Sequence, residues 1–230
     1  MRERTLLAIG EHTAARLGRE DVLEDARVAR IDWSAASLLS LSSGSGAVDV
    51  VVDDRLVRYF VVTAPEGAAS LAELRRVADV RFEELFALDP TAFELCADWR
   101  VAGRFLCCAM PRAIKEMLVQ ASVVSIAPLF VRVVNAERPR AGWIIVRANG
   151  WVTGAHFESG EIRLVRSSTL DAMQPLEPWL AHLALVSGLA VGKPLALDGD
   201  QPHLVPPDWQ RIGQRRDASL LAILDAAEVP

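Results

Sequence analysis

The spacing of hydrophobic and polar positions along the 230-residue chain changes period several times, and each change predicts an element. Residues 37–63 (SLLSLSSGSGAVDVVVDDRLVRYFVVT) cluster Val, Leu, Tyr and Phe between a Ser/Gly turn at 42–46 and an Asp53–Asp54 turn, which predicts two or three antiparallel strands. From Ser70 the period becomes helical. Leu71, Leu74, Ala78, Phe82 and Leu85 fall at helical spacing, Ser70 and Glu73 stand at capping-box spacing, and Asp89–Pro90 is the stop. The short apolar run RFLCCAM (104–110) suits a strand buried on both faces, after which Pro111 opens a helix, PRAIKEMLVQ. SVVSIA (122–127) is a further strand, and Pro128 starts the helix LFVRVVNA before a polar ERPRAG loop.

Three more strands follow that loop, GWIIVRA, WVTGAHF and EIRLVRS, separated by the hairpin dipeptides Asn149–Gly150 and Ser159–Gly160. LEPWLAHLALVSGL is apolar nearly all round, as a buried helix is, and KPLALDGD is a short strand ending in a Gly turn. A Pro-rich loop (202–207) and an amphipathic helix, ASLLAILDAA, complete the pattern. The order of elements reads as one βββαβα theme stated twice, an α/β (α+β) chain of two lobes, 1–140 and a shortened 141–230. No close sequence repeat accompanies it, so the duplication rests on element order alone.

Composition narrows the function classes. A 51% hydrophobic chain fills a core and excludes disorder as the main state. Against 30 Asp and Glu stand 25 Lys and Arg, a net charge of -5, which argues against a nucleic-acid surface. Three cysteines (Cys96, Cys107, Cys108) form neither a disulfide framework nor a metal knuckle, so a reducing compartment is expected. The apolar N-terminal run breaks at Gly10, Glu11 and His12, too soon for a signal peptide, and no apolar stretch reaches the roughly 18–20 residues of a spanning helix. A cytoplasmic chain without membrane insertion is the expectation.

Candidate chemistry is sparse. His12, His156, His182 and His203 lack the spacing to share a metal, and the His156-Phe157-Glu158 run lacks the P-C-x-x-C of a zinc deaminase. Cys107 and Cys108 are neighbours on a strand, so they point to opposite faces and at least one is core. Ser42-Ser43-Gly44-Ser45-Gly46 matches no nucleophile elbow or phosphate loop and reads as a hairpin connection. Asp53–Asp54 and Glu83–Glu84 read as solvated surface carboxylates, and the six tryptophans as core or rim packing.

The stretches ELRRVADVRFEELFALDP, GRFLCCAMPRAIKEMLVQ and SVVSIAPLFVRVVN resemble the helix, strand, helix and strand-then-Pro segment of PilM-type pilus-assembly proteins and of the type II secretion L-protein cytoplasmic domain. These belong to the actin-like, ribonuclease-H-related ATPases, and the likeness spans roughly residues 70–200. It implies two βββαβα lobes holding ATP between two Gly-bearing phosphate hairpins, each with an Asp for Mg²⁺ or water, and a Gly-Gly adenosine turn. On that pattern the first hairpin is LLAIGEHTAARL, which keeps Gly10 and Thr13 but has Ala8 and Ile9 where the Asp is expected. The second reads Arg147-Ala148-Asn149-Gly150, followed by Trp151, in place of Asp-x-Gly. The adenosine turn is LALDGD, with Gly199 between Asp198 and Asp200.

Loss of both carboxylates removes Mg²⁺ placement, on which phosphoryl transfer depends. The resemblance therefore implies a degenerate cradle, a non-catalytic scaffold for inner-membrane proteins of a pilus or secretion platform. Gly10, Thr13, Arg147, Asn149, Gly150 and Gly199 are its vestigial nucleotide positions, Arg147 standing in as a phosphate partner. A homodimer is left open. Two alternatives stand beside it: an active ATPase or small-molecule kinase of the same superfamily, with Asp32, Asp49 or Asp53 as the catalytic carboxylate, and an α+β ligand-binding protein of another family.

Overall fold

A computed structural model describes residues 4–10, 13–17, 27–30, 47–68, 70–99, 103–118, 123–171, 173–199 and 205–212. Its first sheet opens with a meander, β1 (Arg4–Ile9), β2 (Thr13–Leu17) and β3 (Arg27–Arg30), each antiparallel to the next. β4 (Ala47–Val52) then pairs in parallel with β1, and β8 (Val123–Pro128) in parallel with β4, which gives the order β3-β2-β1-β4-β8.

The second sheet repeats this construction. β9 (Gly142–Ala148), β10 (Trp151–Glu158) and β11 (Glu161–Thr169) form the meander, β12 (Leu195–Asp198) pairs in parallel with β9, and β13 (Gln210–Arg211) in parallel with β12. Read by rank along the chain, both sheets have the spatial order third, second, first, fourth, fifth. Both hairpin dipeptides act as expected: Asn149 and Gly150, and likewise Ser159 and Gly160, take positive φ, the requirement of the tight turn whose twist matches the flanking strands.

Between β4 and β8 lies an inserted unit. β5 (Arg58–Thr63), β6 (Phe93–Ala97) and β7 (Arg104–Pro111) form an antiparallel sheet of order β5-β7-β6, covered by α1 (Leu71–Phe86). α1 carries the predicted capping box, with Glu73 N donating to Ser70 Oγ at 3.2 Å and Ser70 N to Glu73 at 3.1 Å. Its buried Phe82 stacks on Phe60, Phe86 and Phe93 with ring centroids 5.0–5.9 Å apart. α2 (Arg112–Leu118) follows β7, α3 (Leu129–Glu137) follows β8, and α4 (Leu176–Ser187) covers the second sheet.

Two expectations are corrected. Residues 47–63 do not make a hairpin: β4 and β5 enter different sheets, because a 3₁₀ turn at Asp54–Leu56 redirects the chain, while residues 37–46 lie outside the described part. Helix α1 and strand β7 accordingly belong to the inserted sheet and not to the first lobe's own layer. Nor is α4 buried all round. Leu176, Leu180, Leu183 and Ala184 face the sheet, whereas Leu185 and Val186 are 79% and 66% exposed. The C-terminal helix expected at ASLLAILDAA also falls outside the described residues.

One core joins the lobes. Leu6, Ile9, Val50 and Val52 of the first sheet share a continuous buried cluster with Ile144, Val146, Phe157 and Leu197 of the second. Two satellite clusters lie under α1 and α4. The adjacent cysteines divide as predicted, Cys107 into the α1 cluster and Cys108 into the central one.

Candidate functional site

The parallel strands β1 and β4 end side by side, so Gly10 at the end of β1 lies next to Asp53, which follows β4; Asp53 N donates to Ile9 O at 2.8 Å. Ala8 and Ile9, where the family pattern expects a carboxylate, are buried in the central core. Asp53 reaches the second lobe, because Asn149 Nδ2, in the β9–β10 turn, donates to Asp53 Oδ2 at 2.8 Å. Arg55 completes the clasp through its backbone N to Oδ1 at 2.9 Å and through Nε and Nη2 to Oδ2 at 3.2 and 3.0 Å. The carboxylate thus accepts four hydrogen bonds from the two lobes.

Asp53 and Asp54 are 2% and 4% exposed, which overturns their reading as solvated carboxylates. Asp54 faces the other way. It accepts from Tyr59 Oη and from Phe130 N, at 3.1 Å to Oδ1 and 3.2 Å to Oδ2. Helix α3 begins after Pro128, whose side chain offers no acceptor, so Asp54 caps it from 76 positions away. Burial pushes the Asp54 carboxyl up to about 7 against the opposing pull of the Tyr59 and Phe130 donors, with the neighbouring Asp53 charge adding a little. Burial, followed by the Asp54 charge, drives the Tyr59 phenol well above its ordinary range.

Arg147 is not presented to the gap between the lobes. Side chains alternate along β9: Ile144, Val146 and Ala148 enter the shared core, and Trp143 and Ile145 enter the cluster under α4. By the same alternation Arg147 lies on the α4 side, fully buried. Its Nε donates to Asp198 Oδ1 at 3.0 Å and Nη2 to Asp198 Oδ2, while Nη1 reaches the carbonyls of Gln174 and, at 3.5 Å, Asp171. Register explains the pair, since Asp198 on β12 stands opposite Arg147 on β9. Gly199 N donates to Arg147 O at 2.8 Å, and Gly150 O accepts from Leu170 N at 2.9 Å.

The structure therefore brings Gly10, Asp53 and Asn149 to one place, and puts Arg147 with Asp198 on the far side of the second sheet. Thr13 begins β2, and Asp49 lies in β4 accepting from Ser125 Oγ at 2.6 Å. Asp32, Asp200, His12 and His203 are outside the described residues. Among the described residues no three His, Cys, Asp or Glu side chains are grouped to hold a metal, and no helix is long and apolar enough to cross a membrane. Sequence reasoning missed Arg55, Tyr59 and Asp54 as site residues. Asp53-x-Arg55 spacing at a turn was the available signal.

Two cavities flank the inserted sheet: one of 540 Å³ between β5, α1 and β11, and one of 470 Å³ between β6, β7, α3 and the β10–β11 hairpin. Neither is lined by Gly10, Asn149, Gly150 or Gly199.

No protein-family model matches the chain, and no curated protein is similar to it in sequence. Among solved structures it is similar to the cytoplasmic domain of EpsL, an inner-membrane component of the type II secretion system of Vibrio cholerae, with TM-score 0.59 and 14% identity over 99% of this chain and 95% of that one. A Bacteroides thetaiotaomicron protein with an actin-like ATPase fold matches over 84% of this chain and 80% of its own, at TM-score 0.49 and 9% identity. The PilM–PilN type IV pilus biogenesis complex matches over 82% and 67%, at 0.46 and 14%. The fold is actin-like, two lobes of one doubled topology, as the resemblance implied.

Proposed function

We propose that this chain is a non-catalytic, partner-binding component of a type II secretion or type IV pilus assembly platform, lying on the cytoplasmic side and reaching the inner membrane through a partner protein. One observation carries the reading. The polar side chains at the positions where the fold family handles nucleotide are bound to one another, Asn149 to Asp53 between the lobes and Arg147 to Asp198 within the second. Mg²⁺-ATP fits this set poorly: buried Ala8 and Ile9 replace one carboxylate, Arg147 faces α4, and a triphosphate would have to displace the Asn149–Asp53 clasp. The likeness in fold to an inner-membrane component's cytoplasmic domain supplies the setting.

Calorimetric titration with Mg²⁺-ATP tests the catalytic side of this proposal. No heat above that of dilution is expected at about 100 μM Mg²⁺-ATP, a concentration inside the roughly 1 μM–1 mM range of enzyme KM values, and Mg²⁺-dependent micromolar binding would favour the ATPase or kinase alternative. Co-purification with the products of neighbouring genes tests the scaffold side: a stable complex with a single-pass inner-membrane protein is expected, and recovery of none counts against it.

A further inference from the structure

Three free thiols lie on two adjacent strands of the inserted sheet, and the sheet sorts them. Cys96 on β6 stands directly opposite Cys108 on β7, and both side chains face the central core, whereas Cys107 faces α1. Cys96 and Cys108 also line the 470 Å³ cavity, which Val131, Phe157 and Ile162 wall from the other side. Cys107 does not line it. Cys108 is buried and Cys96 half-buried, so the cavity joins an approachable sulfur to a sheltered one.

Distances in the ladder suit a bond between them. Residues directly opposite in an antiparallel pair have Cα atoms about 4.5–5.5 Å apart, inside the roughly 4.4–6.8 Å that a disulfide spans. Their Cβ atoms, about 4.5–5.5 Å apart, stand at or beyond the roughly 3.5–4.5 Å that the bond prefers. Closure must therefore draw β6 and β7 together, and a bond closed against that resistance is readily reduced. The pair fits a reversible mark better than a permanent staple. Each sulfur takes its role from its surroundings. Cys108 Sγ–H donates to Cys96 Sγ, which favours the Cys96 thiolate against burial and the Glu94 charge, with Lys115 and Arg75 adding to the effect. The same hydrogen bond, and then burial, hold Cys108 as the thiol. Among the described residues no third His, Cys, Asp or Glu joins the two to hold a metal.

We propose that Cys96 and Cys108 form a reversible oxidation site for hydroperoxides, Cys96 reacting first and Cys108 closing a disulfide onto it. The Cys96 thiolate attacks one peroxide oxygen. The O–O bond breaks, the sulfur is oxidised to a sulfenic acid, and the departing oxygen takes up the proton shed by the thiol and leaves as water. The Cys108 sulfur then attacks the Cys96 sulfur. The S–O bond breaks, the S–S bond forms, and hydroxide leaves with the Cys108 proton as a second water. Two thiols and one hydrogen peroxide thus become one disulfide and two waters. In a reducing compartment, the setting expected for this chain, such a bond is transient and redox-sensing. The site uses neither nucleotide nor partner, so it goes beyond the scaffold reading and does not depend on it.

The test treats the full chain with limiting hydrogen peroxide, blocks the remaining thiols with N-ethylmaleimide under denaturing conditions, and maps the products by tandem mass spectrometry. A Cys96–Cys108 disulfide within one chain is expected, with Cys107 unlinked and full recovery of free thiols on adding dithiothreitol. In Cys108→Ala the cross-link is lost and dimedone traps a sulfenic acid at Cys96. In Cys96→Ala neither product forms, and in Cys107→Ala the cross-link persists. Circular dichroism checks that each variant folds, and the wild-type map decides the outcome where one does not. Linkage of Cys107 to either other cysteine, disulfides only between chains, dimedone on Cys108 ahead of Cys96, or three thiols left untouched overturns the proposal.

Discussion

Asn149, in the first turn of the second meander, donates its side-chain amide to the carboxylate of Asp53 at the end of β4, 96 positions earlier and on the other lobe. The bond sits at the rim of the shared core, so it fixes how the lobes meet as well as satisfying a buried carboxylate. A double-mutant cycle measures it. Asn149→Gly keeps the turn's positive φ, Asp53→Ala removes the acceptor, and urea unfolding is expected to give a coupling of about 1–2 kcal/mol, as for hydrogen bonds to charged groups. Additive losses would show that the clasp contributes nothing beyond its separate residues.

The Arg147–Asp198 pair is a stronger commitment, because both side chains are fully buried. Removing one partner strands a charge, so Asp198→Ala is expected to cost about 3–5 kcal/mol. Replacing the pair by Arg147→Met with Asp198→Leu is expected to recover most of that loss. A double variant as unstable as the single one would show that the carbonyls of Asp171 and Gln174 need the guanidinium independently.

Asp54 makes stability depend on pH. Its carboxyl is raised in the folded protein to about 7 from 3.8, so the folded state binds the extra proton. The contribution is complete below the unfolded value and is lost as pH rises through the folded one. The stabilisation lost between about pH 4 and pH 7 is on the order of 4 kcal/mol. Thermal melts from pH 5 to pH 8 are expected to show a falling Tm that Asp54→Asn flattens, and equal slopes for the two proteins would refute the assignment.

Cys96 on β6 stands opposite Cys108 on β7, and the two thiols share a hydrogen bond. That bond lowers Cys96 below the usual thiol range, and with burial it raises Cys108 well above. Burial pushes Cys107 up to about 12. The thiolate is the nucleophile, so limiting N-ethylmaleimide near pH 8 is expected to alkylate Cys96 first, as read by peptide mass spectrometry. Preferential labelling of Cys107 would contradict the placement of these strands.

Where neighbours in sequence are neighbours in space, the chain was legible. The Ser70–Glu73 box, the two hairpin dipeptides and the proline starts at 111 and 128 all lie within one turn of the element they control, and each sits where expected. β6 escaped notice because five residues with Glu94 among them carry little periodicity, and β3 because RVAR carries less.

The site was legible only in part. Gly10 and Asn149 could be singled out because a resemblance places them on facing hairpins, yet nothing local says that Asn149 meets Asp53. β9 is apolar on both faces, so its alternation separates Arg147 from Ala148 without saying which layer each confronts. Local chemistry along the chain therefore determined the strands, helices, turns and the doubled order of elements. Tertiary structure decided which carboxylates are buried, which strands share a sheet and which lobe an arginine serves, because those outcomes depend on partners tens of residues away whose desolvation no local pattern records.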